Sequence, residues 1–114
     1  MRQDGKIDYV EFPATELGPL QAFYGEAFGW TFTEYGPSYV AFAEGVDGGF
    51  QADADDAPRA QALVILYASD LEAAQDKVRA AGGTVTQPIF AFPGGRRFHF
   101  RDPSGNELGV WSDH

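Results

Sequence analysis

The residues best suited to chemistry are His99, two positions after Arg97, and Glu107 in the run that follows, with Glu11 near the other end of the chain. An imidazole titrates near a pKa of about 6.5, and a neighbouring carboxylate such as Glu11 or Glu107 moves that value, so His99 and Glu107 are candidate acid–base residues. Arg97 shares a strand face with His99, because residues two apart in a strand point the same way. The same pattern also suits a hydrogen-bonded core histidine and a structural ion pair between Arg97 and either glutamate. Carboxylates in apolar surroundings are costly unless paired, so Glu11 and Glu107 demand partners on any reading. Tyr9, Tyr67, Trp30 and Trp111 fit an aromatic wall for a flat or cationic ligand, and equally fit a core. With no cysteine in 114 residues, thiolate nucleophiles, thiolate metal ligands and disulfides are excluded.

A formal charge of −9, with only eight Lys and Arg, argues against nucleic-acid binding, which needs basic patches that release counterions. The one basic cluster, Arg96, Arg97 and Arg101, suits an anionic ligand, an internal carboxylate or a solvated strand edge. Gly94 and Gly95 lack the helix-start context of a phosphate loop. The polar start Met1–Gly5 and the lack of an apolar run near the ~20 residues of a membrane helix lead to the expectation of a cytoplasmic, membrane-free protein.

These side chains need a scaffold, and the pattern supplies one. Ile7, Tyr9 and Glu11 alternate with Asp8, Val10 and Phe12, the mark of a strand covered on both faces over Lys6–Ala14. Thr15 reads as the cap of a helix over 16–28, with Pro19 tolerated in its first turn; Leu20, Phe23, Tyr24, Ala27 and Phe28 line one face and Gly29 ends it. Short strands are expected over Trp30–Thr33, Ser38–Ala43 and Gly49–Ala52. An acidic connector follows over 53–61. A strand over Leu63–Ala68, a cap at Ser69 or Asp70, and a helix through Leu71, Ala74, Val78 and Ala81 then restart the pattern. It continues with Thr84–Gln87, a loop over Pro88–Gly95, and strands over Arg96–Arg101 and Asn106–Trp111.

Sliding the chain against itself by 54 positions aligns Val10 with Val64, Ala14 with Ala68, Leu17 with Leu71, Gln21 with Gln75 and Gly29 with Gly83. The expected fold is therefore one α+β domain of two βαβββ modules, about 6–52 and 62–112. Curved mixed sheets would form a shared half-barrel trough with the helices outside, a setting in which small-molecule sites form. Alternation sends Tyr9, Glu11, Leu63, Ile65, Tyr67, Glu107, Gly109 and Trp111 inward. The run Asp102-Pro103-Ser104-Gly105-Asn106 closes a tight turn, with φ set by Pro103 and a positive φ supplied by Gly105.

With this duplicated order, the Ala22-Phe23-Tyr24 and Phe28-Gly29-Trp30 pattern and the terminal Phe100–Asn106 run, the chain resembles the glyoxalase, bleomycin-resistance and extradiol-dioxygenase (vicinal oxygen chelate) superfamily over nearly its whole length. The resemblance implies a divalent metal held by the first and last strand of each copy. Carried over, those positions are Tyr9, Leu63 and Gly109, with a fourth near Gly49–Gln51 where only Gln51 has a donor. Such a set does not suit a metal needing imidazole or carboxylate ligands, so neither metal nor other cofactor is expected. In similar resistance proteins the positions of Arg97 and His99 line the ligand cavity. The leading expectation is a metal-free binder of a small, cationic or aromatic molecule through Tyr9, Glu11, Tyr67, Arg97 and Trp111, with His99 and Glu107 as the reactive pair. The alternatives are a lyase, isomerase or dioxygenase-like enzyme with a rearranged metal set of Glu11, His99 and Glu107, and a structural or partner-binding dimer. The resemblance also implies a homodimer.

Overall fold

The computed structural model describes residues 2–52 and 61–114, so the expected connector lies, Gln61 apart, outside the described residues. The chain forms two compact units, Tyr9–Ala62, and Leu63–His114 together with the residues up to Asp8. Each unit is α+β with the order of a βαβββ module.

Strand β1 (Ile7–Pro13), which from Tyr9 onward belongs to the Tyr9–Ala62 unit, leads into helix α1 (Leu17–Phe28), followed by β2 (Thr33–Glu34), β3 (Tyr39–Ala43) and β4 (Asp47–Gln51). The strands lie in the order β2-β3-β4-β1, with β1 parallel to β4 and the other pairs antiparallel. Phe12, Leu20 and Tyr24 pack on buried Val40, Phe42 and Phe50, which joins α1 to one sheet face. Trp30 stacks on Tyr24 at 4.7 Å in this core, so of its two sequence readings the core one holds. Gly29 ends α1 with φ 74° and donates to the Gly25 carbonyl, a conformation that favours glycine. Thr15 does not cap the helix: Glu16 holds that place without a side-chain hydrogen bond. The expected strand at Trp30–Thr33 is reduced to Thr33–Glu34 because the Thr31 N–H donates to the Glu44 carboxylate instead of a neighbouring strand. Strand β4 begins two residues early, at Asp47, because Gly48 lies against the Val10 carbonyl and the Phe42 ring, a close approach that only a residue without Cβ allows.

In the second unit, β5 (Leu63–Tyr67), α2 (Leu71–Ala80), β6 (Thr84–Phe92), β7 (Gly95–Arg101) and β8 (Glu107–Ser112) give the order β5-β8-β7-β6, with β5 parallel to β8. Asp70 caps α2 by accepting from the Ala73 N–H at 3.0 Å. Leu71, Phe98, Val110 and Ala68 are buried together, with Ala74 and Val78 against them. The Asp102 carboxylate accepts from the Ser104 and Asn106 backbone and from the Asn106 amide, and Gly105 has φ 90°, which closes the expected turn.

Strand β6 departs most from expectation, because it continues through Pro88, where the sequence predicts a loop. It ends its unit's strand order, so one edge needs no partner and the missing N–H of Pro88 costs no ladder bond. Register shifts between Val85 and Gln87 and between Gln87 and Phe90 absorb the irregularity. Phe90 and Phe92 thereby face the same way as Arg97.

Gly5 N–H donates to the Tyr67 carbonyl, and the Tyr67 N–H donates to that of Lys6, which ties the first residues to the second unit.

Candidate functional site

Two polar clusters lie on the sheet faces opposite the helices, one in each unit. In the second, His99 pairs with Gly109 on β8 and with Gln87 on β6, and is 3% exposed. Its Nδ1 stands 3.8 Å from Oε2 of Glu107, an electrostatic contact too long for a hydrogen bond. The same carboxylate oxygen accepts from the Thr86 hydroxyl at 2.9 Å. Phe90 meets the imidazole edge-on at 5.7 Å, and the Arg97 guanidinium lies 5.4 and 5.5 Å from the rings of Phe90 and Phe92. Leu63, Ile65 and Tyr67 are buried on this face, as alternation requires.

Further along β8, Trp111 is opposite Tyr67 on β5 and Arg97 on β7. The Tyr67 and Trp111 rings meet edge to face at 5.6 Å, and Phe92 lies 6.3 Å from Trp111. The Tyr67 hydroxyl donates to Asp113 at 2.6 Å; this bond holds the phenol pKa above its ordinary value and the Asp113 carboxyl below its own. Arg96, by contrast, turns away to Glu72 at 2.6 Å, which depresses the Glu72 pKa. That resolves one member of the basic cluster as a partner of an internal carboxylate.

In the Tyr9–Ala62 unit, Glu11 is 2% exposed and pairs in register with Gly49. The Tyr9 and Tyr39 hydroxyls share a hydrogen bond of 2.5 Å. Burial, the Glu11 charge and hydrogen bonds with Tyr9 and Glu11 together push the Tyr39 pKa far above that of a free phenol. Tyr9 is raised as well, chiefly by burial. The buried carboxylate is therefore served by phenol chemistry within its own unit. A Cβ on Gly49 would overlap both hydroxyls.

The glycines are equivalent. Glu11 and Ile65 are related by the 54-residue offset, and their register partners are Gly49 and Gly109. The last-strand offset is 109 − 49 = 60, six residues longer: at the preceding strand it is already 99 − 41 = 58, and the β7–β8 connection adds the last two. Within the Gly49–Gln51 window expected from the sequence, Gly49 is the counterpart of Gly109, and Gln51 pairs with Pro13 instead.

The model of the Glyoxalase/Bleomycin resistance protein/Dioxygenase superfamily matches residues 6–110. The chain belongs to that superfamily. Among curated proteins none matches. Solved structures of this fold include a chain described as NAD-dependent benzaldehyde dehydrogenase from Legionella pneumophila (TM-score 0.76, 14% identity, 91% of this chain and 96% of that one covered). A methylmalonyl-CoA epimerase from Mycobacterium tuberculosis is also similar (TM-score 0.71, 13% identity, 98% and 90% covered). So is a Mn(II)-bound glyoxalase from Novosphingobium aromaticivorans (TM-score 0.67, 22% identity), of which the chain, covered over 99%, spans only 40%. At such identities the likeness is one of fold.

By the family resemblance the metal-holding positions would fall on Tyr9, Gly49, Leu63 and Gly109, whose side chains do not fit a divalent ion. The two phenols occupy the space over Gly49, while a Cβ on Gly109 would make ordinary contact with the His99 ring at 3.4 Å, Ile65 at 3.5 Å and Leu63 at 3.6 Å. Among the described residues no three His, Cys, Asp or Glu side chains come together as a metal group. No described helix is long and apolar enough to cross a membrane.

Sequence reasoning missed Tyr39, Thr86, Phe90 and Phe92. The alternation of Phe90 and Phe92 against Ile89 and Ala91 was a strand signal, masked by Pro88. Tyr39 needed the register of β3 on β4, which sets Tyr39 opposite Gln51 and Ala41 opposite Gly49.

Proposed function

We propose that this protein binds a small molecule without the family's metal ion, using the helix-free face of its second unit. Tyr67, Arg97, His99, Glu107 and Trp111 are the ligand-facing groups there. Tyr9 and Glu11, on the helix-free face of their own unit, are proposed as ligand-contacting residues by the same reasoning. The observation that carries the reading is the pair of equivalent last-strand glycines, Gly49 and Gly109. Neither carries a side-chain donor, and the space over Gly49 is taken by the Tyr9 and Tyr39 hydroxyls. An ion would find no side-chain donor at either glycine and no room over Gly49. Aromatic faces beside Arg97, in a chain of charge −9, favour a flat or basic organic molecule over an anion.

If a reaction accompanies binding, the His99–Glu107 pair is the group able to move a proton, with Thr86 fixing the carboxylate. By family resemblance we propose a cytoplasmic homodimer, measurable as the mass of the particle in light scattering. The test of the binding reading is a thermal-shift screen of metabolites and divalent metals on the wild type, His99→Ala and Glu107→Ala. Stabilisation that rises with ligand concentration and weakens in both variants supports it. Stabilisation by a divalent metal, with no organic hit, would replace it with the metalloenzyme alternative.

A further inference from the structure

The face of Trp111 already carries a cation. The Arg2 guanidinium carbon lies 4.8 Å from the centre of the indole ring, within the range of a cation–π contact. Its Nε is 3.3 Å from Oδ2 of Asp8, and that same oxygen accepts the Trp111 indole N–H at 2.9 Å. Asp8 is thus fixed at the edge of the indole whose face holds the guanidinium. An organic cation needs those two features together: a π-face against which it can lie, and a carboxylate beside it to balance its charge. The Asp8–Trp111 bond does not involve Arg2, so carboxylate and ring stay in place if the arginine leaves.

Arg2 is easily displaced. Its side chain is 47% exposed, against 20% for Asp8. It arrives on an arm that reverses at Gln3–Lys6, where the Lys6 N–H donates to the Gln3 carbonyl at 3.3 Å and Gly5 supplies a φ of 75°. The turn is what aims residue 2 back at β8. Tyr67 and Phe92 flank the indole, and Asp113 adds a second carboxylate bonded to the Tyr67 hydroxyl.

We propose that Trp111 and Asp8 form a subsite for a guanidinium or ammonium group of the ligand, and that Arg2 is a built-in placeholder which the ligand displaces. The inference rests on the small-molecule reading above and narrows its ligand class to organic cations. It also assigns roles to Asp8 and Arg2, which the sequence reading left outside the site. A tethered competitor lowers apparent affinity by the factor by which it occupies the subsite. Removing it should therefore tighten binding by about two- to fivefold, the factor corresponding to one exposed guanidinium–indole contact.

The test is a titration with methylguanidinium chloride, followed through the two tryptophan indole N–H resonances, with Trp111→Phe assigning the relevant one and sodium chloride as the ionic-strength control. The expected result is a saturable shift of the Trp111 resonance in the wild type. The apparent affinity should be about two- to fivefold higher in Arg2→Ala, and binding should be lost in Asp8→Asn, where the amide oxygen still accepts from the indole but the charge is gone. Equal affinity in wild type and Arg2→Ala, unchanged binding in Asp8→Asn, or an equal shift with sodium chloride would overturn the subsite. A metabolite whose binding depends on His99 and Glu107 but is indifferent to Arg2→Ala and Asp8→Asn would overturn the cation subsite while leaving the small-molecule reading standing. Cation binding as expected, with no metabolite sensitive to His99 or Glu107, would instead keep the subsite and remove the wider site.

Discussion

Substituting alanine for each of the two equivalent glycines should give opposite results. At Gly49 a Cβ overlaps the Tyr39 ring and hydroxyl and the Tyr9 hydroxyl at once. Neither phenol can move aside without breaking the bond between them, and moving Tyr39 also withdraws a donor from a carboxylate that is 2% exposed. Losing a hydrogen bond to a charged group costs about 1.5–3 kcal/mol, and overpacking adds about 1–3 kcal/mol. The entropy that alanine removes from the unfolded chain offsets about 0.4–1 kcal/mol. Gly49→Ala should thus destabilise by about 1.5–5.5 kcal/mol on these figures. At Gly109 the nearest atoms would be 3.4–3.6 Å from the new Cβ, which is ordinary contact, and the residue has no positive φ. Gly109→Ala should therefore change stability by less than about 1 kcal/mol, with a gain permitted. Urea unfolding at pH 7, followed by circular dichroism, measures both against the wild type. Wild-type stability in Gly49→Ala, or a loss in Gly109→Ala as large as that in Gly49→Ala, would refute these contacts as the cause.

Three further outcomes follow from the same contacts. Tyr9 and Tyr39 have raised pKa values, so the stability their neutral phenols contribute is present below the unfolded value of 10.0 and lost as pH rises through the folded values. At about pH 11 the tyrosinate absorbance of the folded protein should fall short of that of the unfolded chain, and Tyr39→Phe should narrow the shortfall. Asp102 is depressed, mainly by its bonds from Asn106, so its contribution is present above the unfolded value of 3.8 and lost as pH falls through the folded one. The thermal-midpoint gap between wild type and Asp102→Ala should be open at neutral pH and narrow below about pH 4. Phe98, fully buried at the centre of the second core, should cost about 3–5 kcal/mol in unfolding free energy when replaced by alanine.

Local signals carried much of this architecture. The 54-residue offset works because strand core, helix face and helix stop are set by residue type within a few positions, and Asp70 and Gly29 behave as their chemistry requires. Misreadings arose where tertiary position overrode local preference. Pro88 reads as a strand breaker until β6 is known to lie at the end of its unit's strand order, where an N–H is dispensable. Glu44 and Thr31 settle a backbone bond between segments that no periodicity links. The candidate site was half legible: alternation gave the faces of His99, Glu107, Glu11 and Trp111, because a period of two needs no knowledge of neighbours. Tyr39, Thr86 and Arg2 enter through pairings 30, 21 and 109 residues apart in sequence, respectively to Tyr9, Glu107 and Trp111. Such pairings become visible only once register is fixed.

A superfamily chain with Tyr9, Gly49, Leu63 and Gly109 at the positions that the resemblance assigns to the metal offers no donor set for the family's ion, and this expectation is open to direct measurement. Elemental mass spectrometry of protein incubated with manganese and zinc, then desalted without chelator, tests it most directly. The predicted result is metal well below one equivalent per chain, unchanged by His99→Ala or Glu107→Ala. One equivalent retained by the wild type and lost in either variant would contradict the account.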